Sequence, residues 1–198
     1  AITESGQAWG WGWNSSGQLG QGNTTNYSAP VQIGSASNWT KVSCGPSVTA
    51  LLNSAGELWF TGQNYGGSQG HLGLWSGLSS LTQESQGRTD WAAIVYGNAY
   101  NTTALTTDGK LWTAGAGTNG NNGRGDVASY SVFTQVGSLT TWASVGANRA
   151  YTVGATKTDG TLWMWGAALS GSLGDGQAAA NRSSPVQLGS DTDWAKLS

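Results

Sequence analysis

The sequence predicts an all-β protein, a β-propeller of four-stranded antiparallel blades, and three observations predict it. The first is a paced tryptophan. Trp39, Trp91, Trp142 and Trp194 are separated by 52, 51 and 52 residues, each followed three positions later by an aliphatic (Val42, Ile94, Val145, Leu197) and preceded by a glutamine (Gln32, Gln83, Gln135, Gln187). The second is a parallel series, Trp9, Trp59, Trp112 and Trp163, at intervals of 50, 53 and 51. A period near 51 means one supersecondary unit copied four times. The third is an absence: no segment of 11 or more residues carries a 3.6-residue apolar period, so almost no helix is expected.

Each unit divides by its turn chemistry. Asp108-Gly109 and Asp159-Gly160 are strong hairpin signals with apolar alternation on both sides, and Ser5-Gly6 and Ala55-Gly56 fill the same slot. The strand before the turn reads Ala50-Leu51-Leu52-Asn53 or Ala104-Leu105-Thr106, and the strand after it Glu57-Leu58-Trp59-Phe60-Thr61, Lys110-Leu111-Trp112-Thr113-Ala114 or Thr161-Leu162-Trp163-Met164-Trp165. A glycine then recurs at a fixed place, Gly12, Gly62, Gly115 and Gly166, ahead of a glycine-rich loop. Val31-Gln32-Ile33 and Val186-Gln187-Leu188 read as a third strand, and the paced tryptophan opens a fourth. Four strands of about five residues and their turns fill about 50 residues. A lone blade cannot cover both of its faces, whereas radial stacking buries each face against a neighbour. The eight paced tryptophans are therefore expected in the core, with Trp194 buried like the other three of its series. Trp11, Trp13 and Trp75 fall outside both series and are expected at the surface; Trp165 matches Trp11 in its own unit.

The chain reads as a single repeat domain over residues 1–198, its units turning over near residues 6, 56, 109 and 160. The opening Ala1–Gly6 matches Ala104–Gly109, and the last paced tryptophan lies four residues before the end, so both ends are expected to cut within one blade. Either the ring closes by pairing first and last strands, or the four units belong to a longer array.

Composition narrows function. Only 9% of residues are charged and the net charge is −2, which offers no electrostatic footprint for nucleic acid. No apolar run approaches the ~20 residues of a membrane helix, so membrane insertion is not expected. The single cysteine, Cys44, has no partner for an internal disulfide or a CxxC site. The polar surface is built from Ser, Thr, Asn, Gln and Gly, a neutral composition common among extracellular and virion-surface β proteins. Six Asn-x-Ser/Thr triplets, beginning at Asn14, Asn23, Asn26, Asn38, Asn101 and Asn181, are what so Asn- and Thr-rich a chain produces by chance.

The units resemble the regulator-of-chromosome-condensation repeat. The resemblance rests on Leu-Trp-x-Trp-Gly-x-x-x-x-Gly-x-Leu-Gly at Leu162–Gly174, degenerate at Ala8–Gly20. It rests also on Ser28–Gly34 and Ser183–Gly189 around Pro-Val-Gln, on Trp39–Gly45, and on Ala104–Gly109. It covers nearly the whole chain and implies a propeller of about seven blades, of which this chain would be part, with a phage or bacterial source. Kelch repeats have a similar period, but their paired glycines do not recur, Gly66-Gly67 standing alone. Members of the family exchange nucleotide on small GTPases, bind chromatin, sense UV-B or inhibit β-lactamases, so the resemblance implies a fold rather than an activity. The exchange factors use loop residues that have no match here by position. The UV-B photoreceptors use a Gly-Trp-Arg-His-Thr motif, and here no Arg follows a Trp and the sole histidine is His71.

No catalytic, cofactor-binding or metal-binding constellation is expected. Gly17–Gly22 and Gly171–Gly176 resemble phosphate loops but lack a following helix and a Walker lysine, and their recurrence fits turns that need positive φ. Asp191 and Asp193 form an isolated Asp-x-Asp, and Glu4, Glu57 and Glu84 show no acid–base pairing. The expected role is non-enzymatic: a structural or receptor-binding propeller at a virion or bacterial surface, touching other structural proteins or a host-surface protein or glycan within a larger oligomeric assembly. The alternative is an intracellular regulatory propeller acting on a small GTPase or chromatin. The segment from Tyr65 to Arg88 departs most from the repeat, reads as a loop, and supplies the candidate contact patch: Tyr65, His71, Trp75 and Arg88.

Overall fold

The computed structural model describes residues 1–71, 77–97, 100–147, 151–177 and 180–197. It is all β, as expected; the only helical pieces among the described residues are the 3-10 turns Tyr65–Gly67 and Leu169–Gly171. The first sheet pairs β1 (Trp9–Gly12) with β2 (Tyr27–Gln32). The second runs in order β3 (Trp39–Cys44), β4 (Val48–Asn53), β5 (Leu58–Gly62), β6 (Leu78–Gln83). The third holds β7 (Trp91–Gly97), β8 (Asn101–Thr106), β9 (Leu111–Gly115) and β10 (Tyr130–Gln135). The fourth holds β11 (Trp142–Ala147), β12 (Thr152–Lys157), β13 (Leu162–Gly166) and β14 (Arg182–Leu188). Every pairing is antiparallel between consecutive strands, which makes each sheet a propeller blade. Numbering the blades by their sheets, blade 1 is β1–β2 and blades 2 to 4 are the four-stranded sheets.

Two details of strand placement differ from the sequence reading, besides blade 1 holding two strands among the described residues where four were expected. The paced-tryptophan strand opens the next blade instead of closing its own unit, because the tight turn from Gly45 to Val48 (Gly45 N–H to Val48 O, 2.9 Å) folds β3 directly onto β4. Its tie to the preceding unit is one backbone bond from the tryptophan N–H to the glycine carbonyl at the previous hairpin tip. Trp39 reaches Gly6 at 3.0 Å, and Trp91, Trp142 and Trp194 reach Gly56, Gly109 and Gly160 at 3.1 Å. Second, the segment taken as an irregular loop contains β6. Leu78-Ser79-Ser80-Leu81 lacks the Pro-Val-Gln signature, yet pairs with β5 in the register Trp59↔Gln83.

The hairpin tips are where the turn chemistry put them: Gly109 and Gly160 have φ of 75° and 78° and close their turns onto Thr106 and Lys157. The fixed glycines Gly12, Gly62, Gly115 and Gly166 share φ of 101°, 99°, 107° and 104°, a conformation closed to ordinary L-residues, and each sits beside a register slip in its blade. Each blade interface has its own apolar cluster. One is built on Ile33, Trp39 and Leu51, the next on Phe60, Trp91 and Phe133, the last on Val136, Trp142 and Trp165.

Trp39, Trp91 and Trp142 are buried, at 5%, 2% and 4% exposure, but Trp194 is 43% exposed, against expectation. Its backbone is clipped like the others, and among the described residues no Leu-Trp strand packs on it. Trp165 is fully buried, its indole Nε1 donating to Asn121 O at 3.0 Å in the preceding blade. Trp11 and Trp13 are exposed, as expected.

Candidate functional site

The two ends of the blades carry different chemistry. At the hairpin-tip end, each four-stranded blade sets its paced tryptophan edge-on against its Leu-Trp tryptophan. The ring centroids are 6.3 Å apart at 79° for Trp39–Trp59, 6.0 Å at 83° for Trp91–Trp112 and 6.0 Å at 82° for Trp142–Trp163. Such pairs contribute about 0.5–1.5 kcal/mol beyond the area they bury. The Arg88 guanidinium lies 4.2 Å over Trp112 and 5.3 Å from Trp91, held by two bonds to Asp90 at 2.6 and 3.0 Å. The Lys157 ammonium lies 3.6 Å over Trp163 and 5.1 Å from Trp142. Burial lowers the Lys157 pKa, partly offset by the charge of Asp159.

The opposite end, beyond the fixed glycines, carries tyrosines. Tyr65 and Tyr100 meet edge-on at 4.8 Å and 72°, and the Gln63 side chain donates to the Tyr65 hydroxyl at 2.8 Å. With Pro46, Ser47, Val48, Gln63 and Tyr96 they line a cavity of about 110 Å³. Tyr96 forms its floor: its hydroxyl bonds Ser68 Oγ at 3.1 Å, and burial pushes its pKa up to about 12. Tyr100 and Tyr151 hold the same place in successive blades, immediately before β8 and β12, with φ of 57° and 61°. A tyrosine in the left-handed region is strained, and such strain collects at functional sites. Both side chains are exposed. The sequence reading missed them; the available signal was Ala-Tyr recurring 51 residues apart, at Ala99-Tyr100 and Ala150-Tyr151.

The candidate patch is not one surface. Tyr65 follows the Gly62 end of β5, whereas Arg88 lies past the Gln83 end of β6, which pairs with Trp59 at the other end of the blade. Arg88 is engaged with Asp90 and the tryptophans of blade 3. His71 is buried. Desolvation lowers its pKa, against a backbone hydrogen bond at Thr82 and the charge of Glu84, and its Nε2 has no partner among the described residues. Trp75 lies outside the described residues. Glu84 is buried and accepts the backbone N–H groups of Gln86 and Arg88, both at 2.7 Å, which shapes the turn into blade 3. Glycines 17, 20 and 22 and glycines 171, 174 and 176 all have positive φ, as turns require. Among the described residues no three of His, Cys, Asp and Glu converge on one point.

Residues 5–52 match the model of the regulator of chromosome condensation (RCC1) repeat. The chain is similar to the ultraviolet-B receptor of Arabidopsis thaliana, 29% identical over 182 residues that cover 90% of this chain and 41% of the receptor. It is 27% identical to the human E3 ubiquitin-protein ligase HERC2 over 89% of this chain and 4% of that protein, and 36% identical to human protein RCC2 over 43% and 16%. Among solved structures, human WBSCR16 superposes with a TM-score of 0.83 at 18% identity, covering 96% of this chain and 50% of that one. Prp20p of Saccharomyces cerevisiae, described with its binding to Gsp1p and histones, superposes at 0.80 and 17% identity over 96% and 48%. At these identities the superpositions speak for the fold. The chain spans half or less of each of these proteins.

Proposed function

We propose that this chain, which matches the RCC1 repeat over residues 5–52 and has the fold of RCC1-type propellers, is a non-enzymatic regulatory scaffold that binds a partner protein on the tyrosine-bearing end of its blades. One observation carries the reading: Tyr100 and Tyr151 are held exposed at positive φ in the same place of successive blades, and Tyr65 meets the first of them edge-on. Rigid tyrosines beside hydrogen-bonding neighbours are what a contact surface needs. The relatives support partner binding over surface display, Prp20p binding Gsp1p and histones.

A second reading keeps one observation in its favour. With 9% of residues charged, the surface is poor in the charge that a GTPase or chromatin contact would use, and a virion or bacterial-surface role fits that neutrality. The two separate by experiment. Binding of the purified chain to a panel of small GTPases and to nucleosomes is compared with binding to glycan arrays and host-envelope fractions, for the parent and for Tyr100→Gly and Tyr151→Gly. Glycine relieves the backbone strain, so these variants should keep or gain thermal stability while losing partner binding at least about tenfold. Binding confined to glycans or envelope favours the second reading. Turnover of a substrate, lost on His71→Gln, would overturn both.

A further inference from the structure

We propose that Trp39, Trp59 and Glu57 form a notch for an arginine side chain of a partner protein. The inference rests on the reading of the chain as a protein-binding scaffold, but it uses the hairpin-tip end of blade 2 instead of the tyrosine end.

Three blades carry three copies of one arrangement. Blades 2, 3 and 4 each hold an edge-on tryptophan pair of nearly the same geometry. In blade 3 the pair is covered by Arg88, three residues before the paced tryptophan. In blade 4 it is covered by Lys157, cross-strand from the paced tryptophan in the register Trp142↔Lys157. Blade 2 has neither. Ala36 stands three residues before Trp39, and Asn53 faces Trp39 in the register Trp39↔Asn53. Among the described residues, no cation lies over Trp39 or Trp59. A methyl group is too short to cover Trp59 as the Arg88 guanidinium covers Trp112, and Trp59 is half-buried.

The electrostatics of blade 2 are also reversed. The residue after the tip glycine is Lys110 in blade 3 and Thr161 in blade 4, but Glu57 in blade 2. Glu57 Oε2 accepts from the Trp59 indole at 3.3 Å and from Asn53 Nδ2 at 2.7 Å, which holds the carboxylate at the ring edge. Among the described residues, no Lys or Arg pairs with it. A tryptophan face beside an unpaired carboxylate attracts a cation twice, through the ring quadrupole and through charge. Guanidinium fits better than ammonium, since its plane stacks on the indole while its N–H groups reach the free Glu57 Oε1. The chain thus supplies this notch with a cation in two blades and leaves the third for a cation from outside.

The test uses the whole chain and a short arginine peptide, N-acetyl-Gly-Arg-Gly-amide, against its citrulline counterpart, which keeps the shape and loses the charge. The Trp59 indole N–H is followed by NMR. A saturable shift with the arginine peptide, weakened at least about tenfold for citrulline, is expected. Glu57→Gln should weaken it roughly three- to tenfold with no change in melting temperature. The double variant Ala36→Arg/Asn38→Asp, which copies the Arg88–Asp90 pair of blade 3 into blade 2, should fill the notch from within and abolish peptide binding. Equal binding of citrulline, a shift at Trp59 unaltered in the double variant, or no shift at all overturns the proposal. Tyr100→Gly and Tyr151→Gly should leave the peptide titration unchanged, so failure of the tyrosine face and failure of the notch are separate results.

Discussion

Trp11 and Trp165 occupy the same repeat position, two residues past the Leu-Trp tryptophan and immediately before the fixed glycine, yet one is 54% exposed and the other fully buried. The difference lies in what stands behind each. Behind Trp165 is blade 3, whose Asn121 carbonyl receives the indole proton and whose Gly123 leaves room for the ring; a Cβ on Gly123 would come within 2.7 Å of the indole nitrogen. Behind Trp11 no described residue of an earlier blade stands. Trp142 and Trp194 repeat the lesson at the other side of a blade. In a repeat protein, burial belongs to the pair of neighbours and not to the position, so stability is close to a sum of blade and interface terms.

The comparison can be broken most directly at Trp165. Trp165→Ala should cost about 3–5 kcal/mol in urea unfolding, since it opens a cavity at a blade interface and orphans the Asn121 carbonyl. A cost under about 1 kcal/mol would mean that blade 4 is held by something other than this interface. Next is the pair of glycines that follow these positions elsewhere. Gly12→Ala and Gly62→Ala both force an L-residue into the left-handed region at about 1–2 kcal/mol, but only at Gly62 would the new Cβ also strike the backbone of Ser47, while at Gly12 nothing lies within 4 Å. Gly62→Ala should therefore be the more damaging, and equal effects would show that strain alone decides.

A smaller, pH-dependent effect is expected at His71, which stands in blade 2 where Gln21 stands in blade 1. Burial lowers the His71 pKa in the folded chain below its ordinary value of 6.5. The unfolded chain then binds more protons, so stability is complete above about pH 6.5 and falls as the pH drops from there toward the folded-state pKa. His71→Gln should flatten that part of the stability–pH curve; a curve unchanged by the substitution would contradict the burial. The smallest effect belongs to Trp11→Ala, within about 0.5 kcal/mol, as for a surface change. A large loss there would reveal a covering partner in solution.

The fold was legible because the repeat writes it four times. The tip glycines, the bulge glycines and the paced tryptophans each carry a conformational requirement that composition alone would hide. Strand β6 escaped because Leu78–Gln83 pairs through its backbone and burial, without the Pro-Val-Gln signature of its sister strands. Trp194 was misplaced because its neighbour, not its own spacing, decides its exposure. The site was less legible. Segment Tyr65–Arg88 is continuous in sequence but its ends face opposite ends of the blade, because β6 runs the length of the blade between them. The tyrosine face and the Trp39–Trp59 notch are assembled by comparing blades in space, which one linear reading does not do.

The meander within each blade has a further consequence, for biosynthesis. Every strand pairs with the strand made just before or just after it, so a blade needs only about 50 consecutive residues to close. As the chain leaves the ribosome, a finished blade already displays the tip carbonyl to which the next tryptophan N–H will bind. Assembly of blades 2 to 4 can then proceed like a zip, each blade templating the docking of its successor, since their strands pair only with sequence neighbours.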